Sequence, residues 1–172
     1  VSGGVIQSNT QDGIYNYSGT ATITGGTIKD NQRYGTYNQA TMNYTGGSSG
    51  GNAGYDVYQD GNYKMSGSAS TYSNGVYLAK GKIIEITGPL TCADGAIKVT
   101  IQRLDSTVGR TVAKCTYGMN KANADAMLGK FALQNKETRT IGADGKTFRK
   151  AALRSAAGTN GSVGNIVLSE EY

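Results

Sequence analysis

The seven residues Gly3-Gly4-Val5-Ile6-Gln7-Ser8-Asn9 return 22 positions later as Gly25-Gly26-Thr27-Ile28-Lys29-Asp30-Asn31, and the pair begins again 21 positions on at Gly46-Gly47. The likeness continues between the glycine pairs: Gly13-Ile14-Tyr15-Asn16 returns as Gly35-Thr36-Tyr37-Asn38, and Thr20 returns as Thr41. A period of 20 to 25 residues is the mark of a solenoid, in which one coil buries its apolar face only against its neighbours. The repeat therefore predicts a stack of coils, each built from short strands and tight turns.

Composition agrees with strands. The chain holds 26 glycines and 12 tyrosines but one proline, no tryptophan and no histidine, and 17% of its residues are charged. So low a charge content disfavours a disordered reading. Without histidine there is no Ser-His-Asp triad, no Cys-His dyad and no metal site built on imidazole. The net charge of +5 is uneven: residues 1–97 carry five basic and six acidic side chains, and residues 98–172 carry twelve and six. Isolated cations between apolar residues read as solvated strand faces, and no nucleic-acid motif accompanies them. No run approaches a membrane span, so this chain is expected neither to bind nucleic acid nor to insert into a membrane. Because it opens in mid-repeat, it is expected to be a fragment or a processed subunit.

In the first coil, Val5, Ile6, Ile14, Ala21 and Ile23 form short apolar runs punctuated by Gly, Asn, Ser and Asp, the pattern of three strands joined by turns. Asn9 and Asn31, and Asn16 and Asn38, lie one coil apart and are expected to form hydrogen-bonded ladders along the stack. Gly75-Val76-Tyr77-Leu78 and Tyr55-Asp56-Val57-Tyr58 carry the pattern into later coils, and residues 45–52 read as a slack turn or a surface loop between coils. A fifth coil is expected at 95–101, where apolar and polar residues alternate. Beyond 105 the expected elements are a helical turn at 123–128, a strand at 130–134, a hairpin of 137–141 with 146–150 about Ala143-Asp144-Gly145, a flexible connection at 155–164 and a last strand at 165–168.

With the residues laid out in this way, Gly3-Gly4-Val5-Ile6 with Asn9, and Gly25-Gly26-Thr27-Ile28 with Asn31, resemble the repeats of bacterial surface and adhesin-like right-handed parallel β-helix proteins, in the style of polymorphic outer-membrane proteins. Ile6 and Ile28 stand where those proteins carry the Phe of Phe-x-x-Asn. The stretch from Ile84-Glu85-Ile86 to Ala143-Asp144-Gly145-Lys146 resembles the end of such helices and the hairpin that follows. The expected fold is therefore all-β: a right-handed parallel β-helix, a solenoid of about 21-residue coils, over 1–105, followed by a small β-rich C-terminal segment over 106–172, a cap or a continuation of the helix with a flexible tail. What the resemblance implies is a secreted or surface-exposed scaffold at the bacterial cell surface, with no catalytic residues to carry over.

Candidate sites are few. Tyr15, Tyr37, Tyr58 and Tyr77 recur at 22, 21 and 19 residues, and with Ile14, Val57 and Val76 turned inward they are expected to form an outward aromatic ladder, able to bind sugars, pack on a partner or stiffen the sheet. Cys92 and Cys115, 23 residues apart, are a disulfide candidate in an exported chain, with free buried thiols as the other reading. Thr20, Thr22 and Thr24 are similar to the threonine arrays of ice-binding β-helices, but the array does not recur in the second coil. The solenoid's acids neither repeat in register nor pair closely; Asp56 and Asp60 come nearest, and a hydrated turn accounts for them. The expected function is thus non-catalytic, that of an extracellular structural or adhesive module, which could self-assemble end to end into a filament or layer. The alternative is a carbohydrate-binding or polysaccharide-cleaving β-helix. Partners are expected among copies of the chain and host or envelope glycans, with no cofactor and no metal.

Overall fold

The computed structural model describes residues 1–118, 120–134, 139–141, 148–158 and 164–170. Its centre is a parallel β-solenoid of about five turns. Each turn contributes to three faces. The first stacks β1 (Val5–Gln7), the end of β3 (Thr20–Lys29), the end of β5 (Thr41–Gly50) and the start of β8 (Ser70–Leu78). The second stacks β2 (Ile14–Asn16), β4 (Thr36–Asn38), β6 (Val57–Gln59) and the end of β8, with Ile14, Thr36, Val57 and Val76 in register. The third stacks the starts of β3 and β5, then β7 (Asn62–Gly67), β9 (Ile84–Leu90) and β11 (Thr111–Cys115).

The registers that the repeat predicts are the ones observed: Tyr15 opposite Tyr37, Tyr37 opposite Tyr58, Tyr58 opposite Tyr77, and Thr20 opposite Thr41. The Gly-Gly pairs form a corner. Gly26 and Gly47 take φ of +85° and +83°, and a Cβ on Gly47 would stand 2.6 Å from the carbonyl oxygen of Gly26 in the coil before. A left-handed turn and a backbone contact both demand glycine here, which is why the pair marks the repeat.

Inside, alternation sends one side chain in and the next out. Val57, Val76, Leu78, Ile84, Ile86, Ile97 and Val99 are fully buried, and each side chain of this size contributes about 1.5–3 kcal/mol by leaving water. Thr36 takes the inward position of the second coil although it breaks the apolar set, and its buried hydroxyl has no partner among the described residues. Tyr44 and Tyr63 are also core residues, with Met42 opposite Tyr63 and Tyr44 opposite Met65. Both amide ladders are present. Asn9 Nδ2 donates to Asn31 Oδ1 at 2.8 Å, and Asn31 Nδ2 to Asn52 Oδ1 at 2.9 Å. Asn16 Nδ2 donates to Asn38 Oδ1, and Asn38 Nδ2 to Gln59 Oε1, both at 2.7 Å.

Several expectations need correction. Residues 45–50 are not a slack turn or a surface loop but part of the continuous strand β5, in which Gly46, Ser49 and Gly50 are buried. Residue 50 has to be small because the ring of Tyr72 lies over it, in the space that a Cβ would need. Beyond residue 105, where a cap or a continuation is expected, parallel stacking continues. After the fifth-coil strand β10 (Ile97–Ile101), β11 pairs parallel with β9, and β12 (Phe131–Leu133) pairs parallel with β10. These coils are wider because a 3-10 turn at Arg103–Asp105 and the helix α1 (Lys121–Leu128) are inserted at corners. Asn120 caps α1 by accepting from Asn123 N at 3.0 Å, and Ala124 and Met127 bury its inner side.

The outer edge of β11 is then taken by an antiparallel set, β13 (Arg139–Ile141), β14 (Phe148–Ala157) and β15 (Gly164–Glu170). The hairpin of β13 and β14 is as expected; its turn at Ala143-Asp144-Gly145 lies outside the described residues. Ser155–Ala157, expected in a flexible connection, belong to β14 and pair with Ile166–Gly164.

The cysteines are not joined. Both Cys92 and Cys115 are free and buried. The residue opposite Cys115 is Ile86, and Cys92 follows only after β9 has turned the next corner, where Thr91 N donates to Gly67 O. Burial pushes the Cys115 thiol up to about 11 and raises that of Cys92. The thiolate is the reactive form, so at pH 8 neither thiol of the native chain should be alkylated, whereas the unfolded, unreduced chain should take up two alkyl groups. Uptake of none after unfolding would show a cross-link.

Candidate functional site: a tyrosine face on the second sheet

The inward turn of Thr36, Val57 and Val76 forces the next residue of each strand outward. Tyr15, Tyr37, Tyr58 and Tyr77 thereby form one column across the coils, as the sequence predicts. Ring centroids lie 5.2 Å apart for Tyr15 and Tyr37, 4.9 Å for Tyr37 and Tyr58, and 4.8 Å for Tyr58 and Tyr77. The first and last pairs are stacked and the middle pair meets edge to face, both favourable aromatic geometries.

A second column escapes the sequence reading. Tyr34 and Tyr55 sit three residues before Tyr37 and Tyr58 and are themselves 21 apart, a spacing that a search confined to the Gly-x-Tyr position passes over. Tyr34 lies 5.0 Å from Tyr58 and 5.9 Å from Tyr37, and Tyr55 stacks on Tyr77 at 4.9 Å. Six rings thus make one continuous aromatic surface.

One cation is fixed on it. The guanidinium of Arg33 stands 5.3 Å from the Tyr34 centroid and 5.6 Å from that of Tyr37. Asp12 holds it there, accepting from Arg33 Nε at 2.8 Å and from Tyr34 N at 3.2 Å, and the hydrogen bond to Arg33 raises that residue's pKa further. Gln39 ties the upper rings, accepting from Tyr15 Oη at 2.8 Å and donating to Tyr37 Oη at 3.0 Å. Burial raises the pKa of Tyr37, Tyr55, Tyr58 and Tyr77. Their phenols stay protonated through the neutral range and can donate.

The stacking decides what the face can offer. The two stacked pairs, 5.2 and 4.8 Å apart, turn a ring face toward one another, so much of what a ligand meets is ring edges, hydroxyls and Arg33. Tyr15, 55% exposed at the end of its column, keeps a free ring face, with Tyr17 6.2 Å away.

Among the described residues the acids form no such cluster. Asp56, expected in a hydrated turn beside Asp60, is fully buried. Its Oδ1 accepts from Asn52 Nδ2 at 3.0 Å, and its Oδ2 from the backbone N–H groups of Ser73, Asn74 and Gly75 at 3.1, 2.9 and 2.9 Å. Burial raises its pKa, and these four donors work against the rise. Asp94 pairs with Lys130 at 3.0 Å, and Glu85 accepts from the Thr116 hydroxyl at 3.2 Å. The solenoid's carboxylates are spread over different coils, several of them with partners of their own. No protein-family model, no curated protein and no solved structure matches the chain.

Proposed function

We propose that this chain is a non-catalytic structural module of an extracellular surface, and that it makes contact through the tyrosine face. The observation that carries the reading is the face itself: six mutually packed tyrosines and an anchored arginine, rigid and outward on a scaffold whose repeated amides are used up internally. Tyrosine and arginine are the residues that surfaces use for contact, because each combines a large flat apolar area with a polar tip at little entropic cost. The resemblance of the repeats to those of bacterial surface β-helix proteins supports the extracellular placement.

The carbohydrate reading is narrower. Sugars bind tyrosine through the open ring face, and Tyr15 is the one exposed ring of the main column, the others being half-buried. A contact that reads edges, hydroxyls and a guanidinium fits a protein surface better.

The test is retention of the chain on immobilised extracellular matrix proteins and on a glycan array, with Tyr37→Ala/Tyr58→Ala as the comparison. The reading expects retention on one or more proteins that falls at least about tenfold in the double variant, with the thermal midpoint little changed. Retention on no surface, or retention indifferent to the two substitutions, would overturn it; retention on glycans alone, lost with Tyr15→Ala, would replace it with the carbohydrate reading.

A further inference from the structure

The first sheet carries an aromatic ring of a different kind. Ile28, Ser49 and Thr71 are fully buried in register, so alternation turns the residues on either side of each of them outward. Tyr72 is 48% exposed. The three atoms nearest to a Cβ at position 50 would be Cζ and both Cε carbons of its ring. A point closest to those three carbons, and farther from the hydroxyl, stands over the plane of the ring and not beside it. The ring therefore lies face down on the bare backbone of Gly50, one coil back, and its exposure belongs to the other face. In the tyrosine column the stacked rings cover one another, whereas here backbone covers one face and leaves the second open.

The next residue brings a carboxylate to the same floor. The one atom within 4 Å of a Cβ on Gly51 would be Asp30 Oδ1, at 3.0 Å. Asp30 reaches it from the coil before, out of a left-handed backbone at φ +53°, which aspartate visits more readily than most residues. Lys29, in register with Gly50, sets its ammonium 3.6 Å from the other oxygen of Asp30. A ring from β8 and a carboxylate with its ammonium from the end of β3 thus converge on two adjacent glycines at the end of β5. Thr27, Ser48 and Ser70 stand in register beside them.

We propose that Tyr72, Asp30 and Lys29, gathered over Gly50 and Gly51, form a subsite for one pyranose unit of a neutral β-linked glycan. The chemistry of the three groups specifies it. The open ring presents its negative face, which attracts weakly positive C–H groups and repels an anion. The carboxylate accepts hydrogen bonds and the ammonium donates them. Their side chains are 41% and 56% exposed, and so exposed an ion pair holds its members only weakly, which leaves both open to a hydroxylated ligand. C–H groups on one flat face and hydroxyls around the rim describe a pyranose with equatorial hydroxyls. Its C–H face lies on Tyr72, and its rim hydroxyls donate to Asp30 and accept from Lys29. The bare floor keeps the ring low enough for the sugar to reach Asp30 at the same time.

This subsite goes beyond the contact made by the tyrosine face and lies on another sheet, so the two are tested apart. Cellohexaose, laminarihexaose and chitohexaose, three neutral β-linked probes, are titrated to millimolar concentration into the isotope-labelled chain while its amide resonances are followed. At least one should shift Asp30, Gly50, Gly51 and Tyr72 together. Tyr72→Ala should weaken that probe at least about tenfold, whereas Tyr72→Phe keeps the ring and should stay within about threefold. Gly50→Ala retains every group that meets the sugar but lifts the ring from its floor, and should weaken binding as Tyr72→Ala does. Asp30→Asn, which tolerates the same backbone, removes the charge from the acceptor and should cost at least about threefold. A shift with none of the probes, or binding unchanged in Tyr72→Ala, overturns the proposal. So does tighter binding of the anionic hexagalacturonate, or binding that falls with Tyr15→Ala in place of Tyr72→Ala. Failure here with retention on proteins still dependent on Tyr37 and Tyr58 leaves the contact function standing, and the reverse result leaves the subsite standing.

Discussion

Asp56→Ala is expected to lower the unfolding free energy by about 3 kcal/mol, since a buried donor left without its acceptor costs about 1–3 kcal/mol and one substitution takes the carboxylate away from four donors, three of which have no substitute. Three are consecutive backbone N–H groups, Ser73 to Gly75, at the corner leading into Val76. The fourth, the Asn52 amide, keeps longer contacts to Ser49 Oγ at 3.3 Å and Ile28 O at 3.4 Å. The loss should therefore be local first, with exchange rising at 73–75 and along Asn52 and Asn31. Asp56→Asn keeps one oxygen for the three N–H groups and should cost less, about 1 kcal/mol. The pH dependence follows from the direction of the shift. Burial raises the folded pKa above the ordinary 3.8, so the folded state holds the proton more tightly than the unfolded chain. That contribution is fully present below the unfolded value and is lost as pH rises through the folded one. Chemical denaturation of the wild type and Asp56→Asn across the acid range should show the wild type's advantage shrinking as pH rises through that window. An advantage that grows would mean that the four donors outweigh burial.

What the sequence shows and hides follows from how each feature is encoded. The coil period, the register of Tyr15, Tyr37, Tyr58 and Tyr77 and the Asn9–Asn31 and Asn16–Asn38 ladders are legible because identity recurs at one coil. Gln59 extends a ladder through chemistry without identity: its amide does the work of an asparagine, one methylene longer. Asp56 is hidden more deeply. It occupies the column of Gly13, Gly35 and Gly75, where a carboxylate reads as a hydrated turn, and it is buried only because N–H groups 17 to 19 residues later converge on it. The end of parallel stacking is obscured for a different reason. The step from Ile97 to its partner Phe131 contains α1, and an insertion at a corner lengthens the period without disturbing the strands. Tyr34 and Tyr55 are visible as a spacing, yet their meaning depends on ring directions that spacing does not carry.

The same glycine column yields the sharpest test of the packing. A Cβ on Gly35 would stand 2.5 Å from the carbonyl oxygen of Asp56, 2.5 Å from Ser49 Oγ and 2.7 Å from Asn52 Nδ2. None can retreat freely, because the carbonyl accepts from Thr36 N at 2.9 Å and the Asn52 amide is held by the ladder and by Asp56. Gly35→Ala is thus expected to cost about 3 kcal/mol, at the upper end for overpacking, and to open the stack between the second and third coils. Gly3→Ala is the control: its Cβ would meet nothing within 4 Å, and its effect should stay within about 0.5 kcal/mol. Because a methyl group at position 35 would displace the groups that Asp56 organises, Gly35→Ala and Asp56→Ala should not add. Once the ladder cell is broken, its last acceptor has less left to hold, and the double variant should be more stable than the sum of the single losses predicts by at least about 0.5 kcal/mol. Strict additivity in denaturation would mean that the cell is two independent contacts, and that the polarity of the ladder does not couple one coil to the next.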